Sequence, residues 1–87
     1  MARYSLVFKR SVAKDLRAIP NRDVRRILNR IEGLRDEPRP PGCEKLSGQE
    51  RYRVRQGAYR IIYGIEDDCL VVTVVKVAHR KDVYARK

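Results

Sequence analysis

Residues 50–78 read ERYRVRQGAYRIIYGIEDDCLVVTVVKVA, and the fold turns on this stretch. Tyr52 and Val54 alternate with Arg51, Arg53 and Arg55, the period of two expected of a half-buried strand. Gly57-Ala58 is the shortest linker that closes a hairpin, so Tyr59 to Glu66 returns as a second strand, with Tyr59, Ile61, Tyr63 and Ile65 opposite Arg60. Asp67-Asp68 turns the chain again, and Cys69 to Ala78 reads as the last strand of a β-meander. Its phase is ambiguous, because Leu70, Val72 and Val74 share a face with Lys76 and, if the alternation persists, with Arg80.

Upstream, Tyr4, Leu6 and Phe8 alternate onto one face of an opening strand over residues 3–9. A first helix follows, capped by Ser11, carrying Val12, Leu16 and Ile19 on one stripe and halted by Pro20. Asn21 caps a second helix, with Asp23 in its first turn and an apolar face of Val24, Ile27, Leu28, Ile31 and Leu34. Arg22, Arg25, Arg26 and Arg30 lie mostly off that face, where a solvated helix surface accounts for them. From Glu37 to Gly48, Pro38, Pro40, Pro41, Gly42 and Gly48 predict a loop without regular structure. The expected fold is therefore α+β, in the order β-α-α-β-β-β. The αα-hairpin packs on one face of a mainly antiparallel four-stranded sheet, and the other face is left open and basic. Residues 1–87 are expected to form one domain, since neither flank of the loop could bury a core alone. The tail from His79 starts as a helical turn.

Composition narrows the classes of function. The chain has 87 residues, 43% hydrophobic and 37% charged, a balance that suits a globular fold rather than disorder. The longest apolar stretch, Leu70 to Val77, falls far short of the roughly 20 residues of a membrane span. The start at Met1 has no signal-peptide pattern, so a cytoplasmic location and no membrane partner are expected. Cys43 and Cys69 lack the spacing of a zinc site and are read as free thiols. Twenty-one Lys and Arg against eleven Asp and Glu leave a net charge of +10, which attracts RNA, DNA or an acidic protein without distinguishing them.

The chemistry-bearing feature is the run of arginines at 51, 53, 55 and 60 with no intervening acid. Guanidinium groups bind phosphate bidentately and keep their charge, so such a cluster suits holding a phosphodiester and stabilising its transition state. The same cluster would also serve as an electrostatic docking surface without catalysis.

The segments Tyr52-Arg53-Val54-Arg55, Tyr59-Arg60-Ile61-Ile62-Tyr63 and Val77-Ala78-His79-Arg80-Lys81-Asp82-Val83-Tyr84 resemble the RelE/ParE toxin superfamily. Residues 8–16 and Lys45-Leu46-Ser47-Gly48 are similar to it in the same order. The resemblance implies a RelE-like fold and the toxin of a type II toxin–antitoxin system. RelE-like members are ribosome-dependent endoribonucleases that cut messenger RNA by attack of a 2′-hydroxyl on its neighbouring phosphate, without metal or cofactor. ParE-like members poison DNA gyrase on the same fold. Carried onto this chain, the RelE-type catalytic set is Arg53, Arg55, Arg60, Arg80 and Tyr84, and ParE-like proteins generally lack that full set. Lys45, Arg51, Lys76 and Lys81 are the further cations expected to touch RNA. RelE-type sites often have lysines where this chain has Arg53 and Arg55, and arginine is a poor general base. The base is thus left between Arg55, orientation within the ribosome, and His79, which alternation points away from Arg80. Tyr84 is read as stacking on a base, assisting proton transfer or sealing the core. The implied partners are the ribosomal decoding site, messenger RNA and a RelB-like antitoxin, with operator DNA reached only through the antitoxin. A ParE-like gyrase inhibitor and a non-catalytic RNA- or ribosome-binding domain are the competing readings.

Overall fold

The computed structural model describes residues 3–48 and 50–81. Its elements run β1 (Ser5–Phe8), α1 (Arg10–Arg17), α2 (Asn21–Gly33), β2 (Glu44–Lys45), β3 (Tyr52–Gln56), β4 (Tyr59–Glu66) and β5 (Val71–His79). The strands form one sheet in the order β1-β5-β4-β3-β2, with β1 parallel to β5 and every other pair antiparallel. The α+β class, both helices and the mainly antiparallel sheet agree with the sequence reading. The sheet has five strands rather than four, because Glu44 and Lys45 pair with Arg53 and Tyr52. Two residues are too few to show a period, and the surrounding prolines hide them. Segment 43–46 itself contains no proline, so its amides are free to pair, and the Leu46 amide donates to the Arg51 carbonyl at 2.8 Å.

The helices cover one face of the sheet, α1 over β5 and α2 over β3 and β4. Val12, Ile27, Ile31, Leu34, Val54, Ile61, Tyr63, Val72, Val74 and Val77 are buried together between the layers. Non-directional apolar burial of this kind is what holds the αα-hairpin to the sheet. Two expected core residues stay outside: Phe8 is 42% exposed where β1 gives way to α1, and Leu28 is 40% exposed on the border of the α2 stripe. The helix starts also shift. Lys9 and Pro20 occupy the N-cap positions, without side-chain capping bonds, so Ser11 and Asn21 lie inside the first turns.

The ambiguous phase of the last strand is resolved by a β-bulge. Tyr63 pairs with Val74 but the adjacent Ile62 pairs with Lys76, leaving Val75 as the extra residue. Val72 and Val74 therefore face the helices before the bulge, and Val77 faces them after it. The strand starts at Val71, later than expected, because the turn extends through Leu70, which adopts φ 56°.

The proline-rich loop is pinned to this framework. The buried Tyr63 hydroxyl donates to the Pro38 carbonyl at 2.6 Å. Arg39 lies over the Tyr52 ring at 5.1 Å and pairs with Asp67 at 3.0 Å, and Asp67 also accepts from the Tyr4 hydroxyl at 2.6 Å. These contacts carry the loop to the sheet edge and so place β2.

Candidate nucleic-acid interface

In the β3–β4 hairpin, Gly57 takes φ 61° at the first central position of the turn, the conformation that a two-residue type II′ loop requires there. This fixes the register: Arg55 lies directly across from Arg60, and Arg53 across from Ile62. Directly opposed residues project to the same face, so Arg53, Arg55 and Arg60 share the side of the sheet that the helices leave open. On the far side of Arg60 its partner in β5 is Ala78, whose small side chain leaves room for the guanidinium stem. The open face was expected to put its arginines in water, and Arg55 is exposed, but Arg60 is only 3% accessible. A central strand surrounds it with neighbours on both sides, and the aliphatic stem buries readily.

Arg80 arrives at the same end of the sheet by a backbone tether, its amide donating to the Ala58 carbonyl in the hairpin turn at 2.8 Å. Arg80 and Lys81 begin the helical turn that the sequence suggested, and both are exposed. Tyr84 lies outside the described residues. His79 pairs with Tyr59 on the helix side, with its ring edge-on to the Tyr59 ring at 5.4 Å. Its Nδ1 accepts the Lys81 amide at 3.1 Å, so this histidine is turned away from the arginines.

The other expected cations distribute differently. Arg51 precedes Arg53 by two residues and continues its face, half-buried. Lys45 pairs with Tyr52, which puts it on the helix side, and its ammonium lies 3.7 Å from Glu50. Lys76 is held by Asp15 of α1 at 3.3 Å, so its charge is engaged there rather than among the arginines. The same carboxylate accepts the Val77 amide at 3.2 Å, satisfying a β5 backbone group beyond the point where β1 ends.

The sequence reading missed Glu44. Being opposite Arg53 in β2, it projects onto the arginine face and forms an ion pair with the Arg53 guanidinium. That hydrogen bond first, and then the charges of Arg53, Arg55 and Arg60, hold its carboxyl below the ordinary carboxylate range. An arginine run without acids in sequence thus acquires one through the sheet. The signal that could have found it was the spacing of Lys45-Leu46-Ser47-Gly48 before β3, long enough for a short hairpin. Where β2 stops, the free edge of β3 opens into a concavity of about 340 Å³ lined by Arg30, Gly42, Glu44, Arg53 and Arg55. Arg30, read from sequence as part of a solvated helix surface, is therefore a wall of this concavity.

Among the described residues no helix is long and apolar enough to cross a membrane. Residues 6–84 match the family of ParE toxins of type II toxin–antitoxin systems. The chain is 31% identical over 87 residues to the toxin RelG of Mycobacterium tuberculosis, covering 95% of this chain and 98% of that protein. It is similar in structure to a chain of the archaeal RelE–RelB complex from Pyrococcus horikoshii, with a TM-score of 0.79 and 31% identity, covering 88% of this chain and 94% of the other. A chain of the toxin–antitoxin complex RelBE2 from Mycobacterium tuberculosis superposes with a TM-score of 0.81 at 26% identity, covering 92% and 94%. With the family match spanning nearly all of the sequence and the fold agreeing, this chain belongs to the RelE/ParE superfamily of toxins of type II toxin–antitoxin systems.

Proposed function

We propose that this toxin is a ribosome-dependent endoribonuclease that cuts messenger RNA and so stops translation. The observation that carries the reading is the gathering of Arg53, Arg55 and Arg60 on one open sheet face, with Arg80 tethered at the same end. In the reaction the 2′-oxygen gives its proton to solvent and forms a bond to the adjacent phosphorus, the bond from phosphorus to the 5′-oxygen breaks, and a 2′,3′-cyclic phosphate and a reprotonated 5′-hydroxyl are left. Negative charge builds on the phosphate oxygens in that transition state, and fixed guanidinium groups stabilise it there. Arg53 and Arg60 hold the phosphate, Arg55 supports them, and Arg80 donates to the departing 5′-oxygen. Tyr84 serves as a base-stacking or proton-transfer group, and the 2′-hydroxyl is activated chiefly by orientation on the ribosome. Arg51 and Lys81 add backbone contacts. Lys45 and Lys76, engaged with Glu50 and Asp15, contribute less.

A RelB-like antitoxin is the expected partner, since neighbours in structure are RelE chains in complex with RelB. An acidic chain would complement the net charge of +10. Operator DNA would then be bound through the antitoxin, and the location is cytoplasmic, where ribosomes are.

The test is to express the protein in a bacterial translation extract and map the 5′ ends of a reporter message with and without ribosomes. Discrete cuts confined to translated message, lost with Arg60→Ala, are expected. A message left intact while translation proceeds refutes the reading. The second reading, gyrase poisoning, is favoured by the ParE description of the matching family and predicts gyrase-dependent DNA cleavage with intact message. Intact message with stalled translation would indicate a ribosome-binding domain without catalysis.

A further inference from the structure

The concavity at the free edge of β3 joins two groups that sequence separates widely, Arg30 near the end of α2 and Arg53 and Arg55 of β3. Three guanidinium groups face a single carboxylate, Glu44, so the site carries an excess of positive charge. Among the described residues Arg30 and Arg55 have no carboxylate within ion-pair distance. Arg53 is only partly satisfied: its Nη2 donates to Glu44 while its Nε is buried without an acceptor among the described residues. The Nε and Nη2 edge of a guanidinium is the side-on fork that a phosphate takes with two of its oxygens. A carboxylate that takes only Nη2 leaves half of that fork unused.

We infer that this concavity is a second phosphate subsite, in which Arg30 grips the backbone phosphate next to the scissile one and Arg53 bridges the two, its Nε/Nη2 edge on this phosphate and its Nη1 toward the scissile one, with Glu44 as the resident place-holder of that edge. This rests on the RNA reading above and extends it to α2, which that reading does not use. The geometry is suitable because Arg55, a wall of the concavity, lies directly across from Arg60, so a single strand lying across β3 meets both sites in succession. Glu44 has a definite part to play. While no RNA is bound, its carboxylate offsets the mutual repulsion of Arg53, Arg55 and Arg60. An incoming backbone phosphate carries the same single charge, but it takes Nε and Nη2 of Arg53 together and Arg30 as well, and so displaces it.

The experiment is fluorescence anisotropy of the full chain with a labelled 2′-O-methyl RNA hexanucleotide, which lacks the nucleophile and cannot be cut, titrated at several salt concentrations. Arg30→Gln should weaken binding by roughly fivefold, the loss of one charge-assisted contact in a solvated site. It should also lower the salt slope by about 0.7, the value for one phosphate contact on a single strand. Arg22→Gln, elsewhere on α2, should do less than half as much, and Arg30→Lys should retain most of the affinity. Glu44→Gln should tighten binding, and should no longer do so once Arg53 is replaced by Gln. Equal effects of Arg30→Gln and Arg22→Gln, or weaker binding by Glu44→Gln, would overturn the subsite and leave the RNA reading standing. Failure of the native chain to bind the hexanucleotide at low salt would overturn the subsite, while the RNA reading stands or falls separately on the cuts in translated message. Circular dichroism of each variant separates loss of binding from loss of fold.

Discussion

Replacing Asp15 by Ala should destabilise the protein far more than replacing its salt-bridge partner Lys76. Asp15 makes two contacts, an ion pair to the Lys76 ammonium at 3.3 Å and a hydrogen bond from the Val77 amide at 3.2 Å. The lysine side chain is 43% exposed and the aspartate 14%, so solvent screens the ion pair and leaves it about 0.5 kcal/mol. The amide is different. It sits on a strand edge that β1 no longer covers, and a hydrogen bond to a charged acceptor contributes about 1.5–3 kcal/mol. Together these give about 2–3.5 kcal/mol for Asp15→Ala and about 0.5 kcal/mol for Lys76→Ala. For a chain of 87 residues the larger figure lowers Tm by roughly 10–20 °C. Asp15→Asn keeps an oxygen for the amide and should fall in between. Urea unfolding followed by circular dichroism measures all three, with m-values checked for constancy. Equal losses for Asp15→Ala and Lys76→Ala would refute the reasoning, because they would make the ion pair the main contribution. Lys76→Ala should also leave message cleavage nearly unchanged, because the register places Lys76 on the arginine face but Asp15 holds its ammonium.

Alkaline stability should depend on Tyr63. Burial, followed by its contact with Cys43, pushes this phenol well above its ordinary value of 10.0, so the unfolded chain loses the proton first and stability falls as pH rises past that value. Tyr63→Phe should flatten the alkaline decline while costing about 1 kcal/mol at neutral pH for the lost bond to Pro38, as read from urea midpoints. On the acid side, hydrogen bonds to Arg39 and Arg53 hold Asp67 and Glu44 below their ordinary values of 3.8 and 4.5. Their stabilisation is present above those values and is lost as pH falls through the lowered ones, so Asp67→Asn should reduce the acid dependence of Tm. Gly57→Ala forces a side chain into φ 61° and should cost about 1 kcal/mol. Because the same turn receives the Arg80 amide, that variant should also lower cleavage more than its stability loss explains.

The sequence by itself determined the element types and the layer arrangement. Strand alternation at Tyr52, Val54, Ile61 and Tyr63 and the helical stripe of Ile27, Ile31 and Leu34 have one physical solution, which is to bury both against each other. The arginine face was legible for the same reason, since a side-chain period of two puts residues 53 and 55 opposite a buried Val54. Features that depend on long-range pairing were not legible. The bulge that frees Lys76 from the face of Val72 and Val74 exists only in the register between β4 and β5. The burial of Arg60 follows from its central place in the sheet, and the position of Glu44 follows from a two-residue strand too short to leave a period. Arg30 meets Arg53 only because α2 packs across the sheet to the edge where β2 ends. Local periodicity records which way a side chain points, but which charges come together depends on which strands and helices become neighbours, and only tertiary structure decides that.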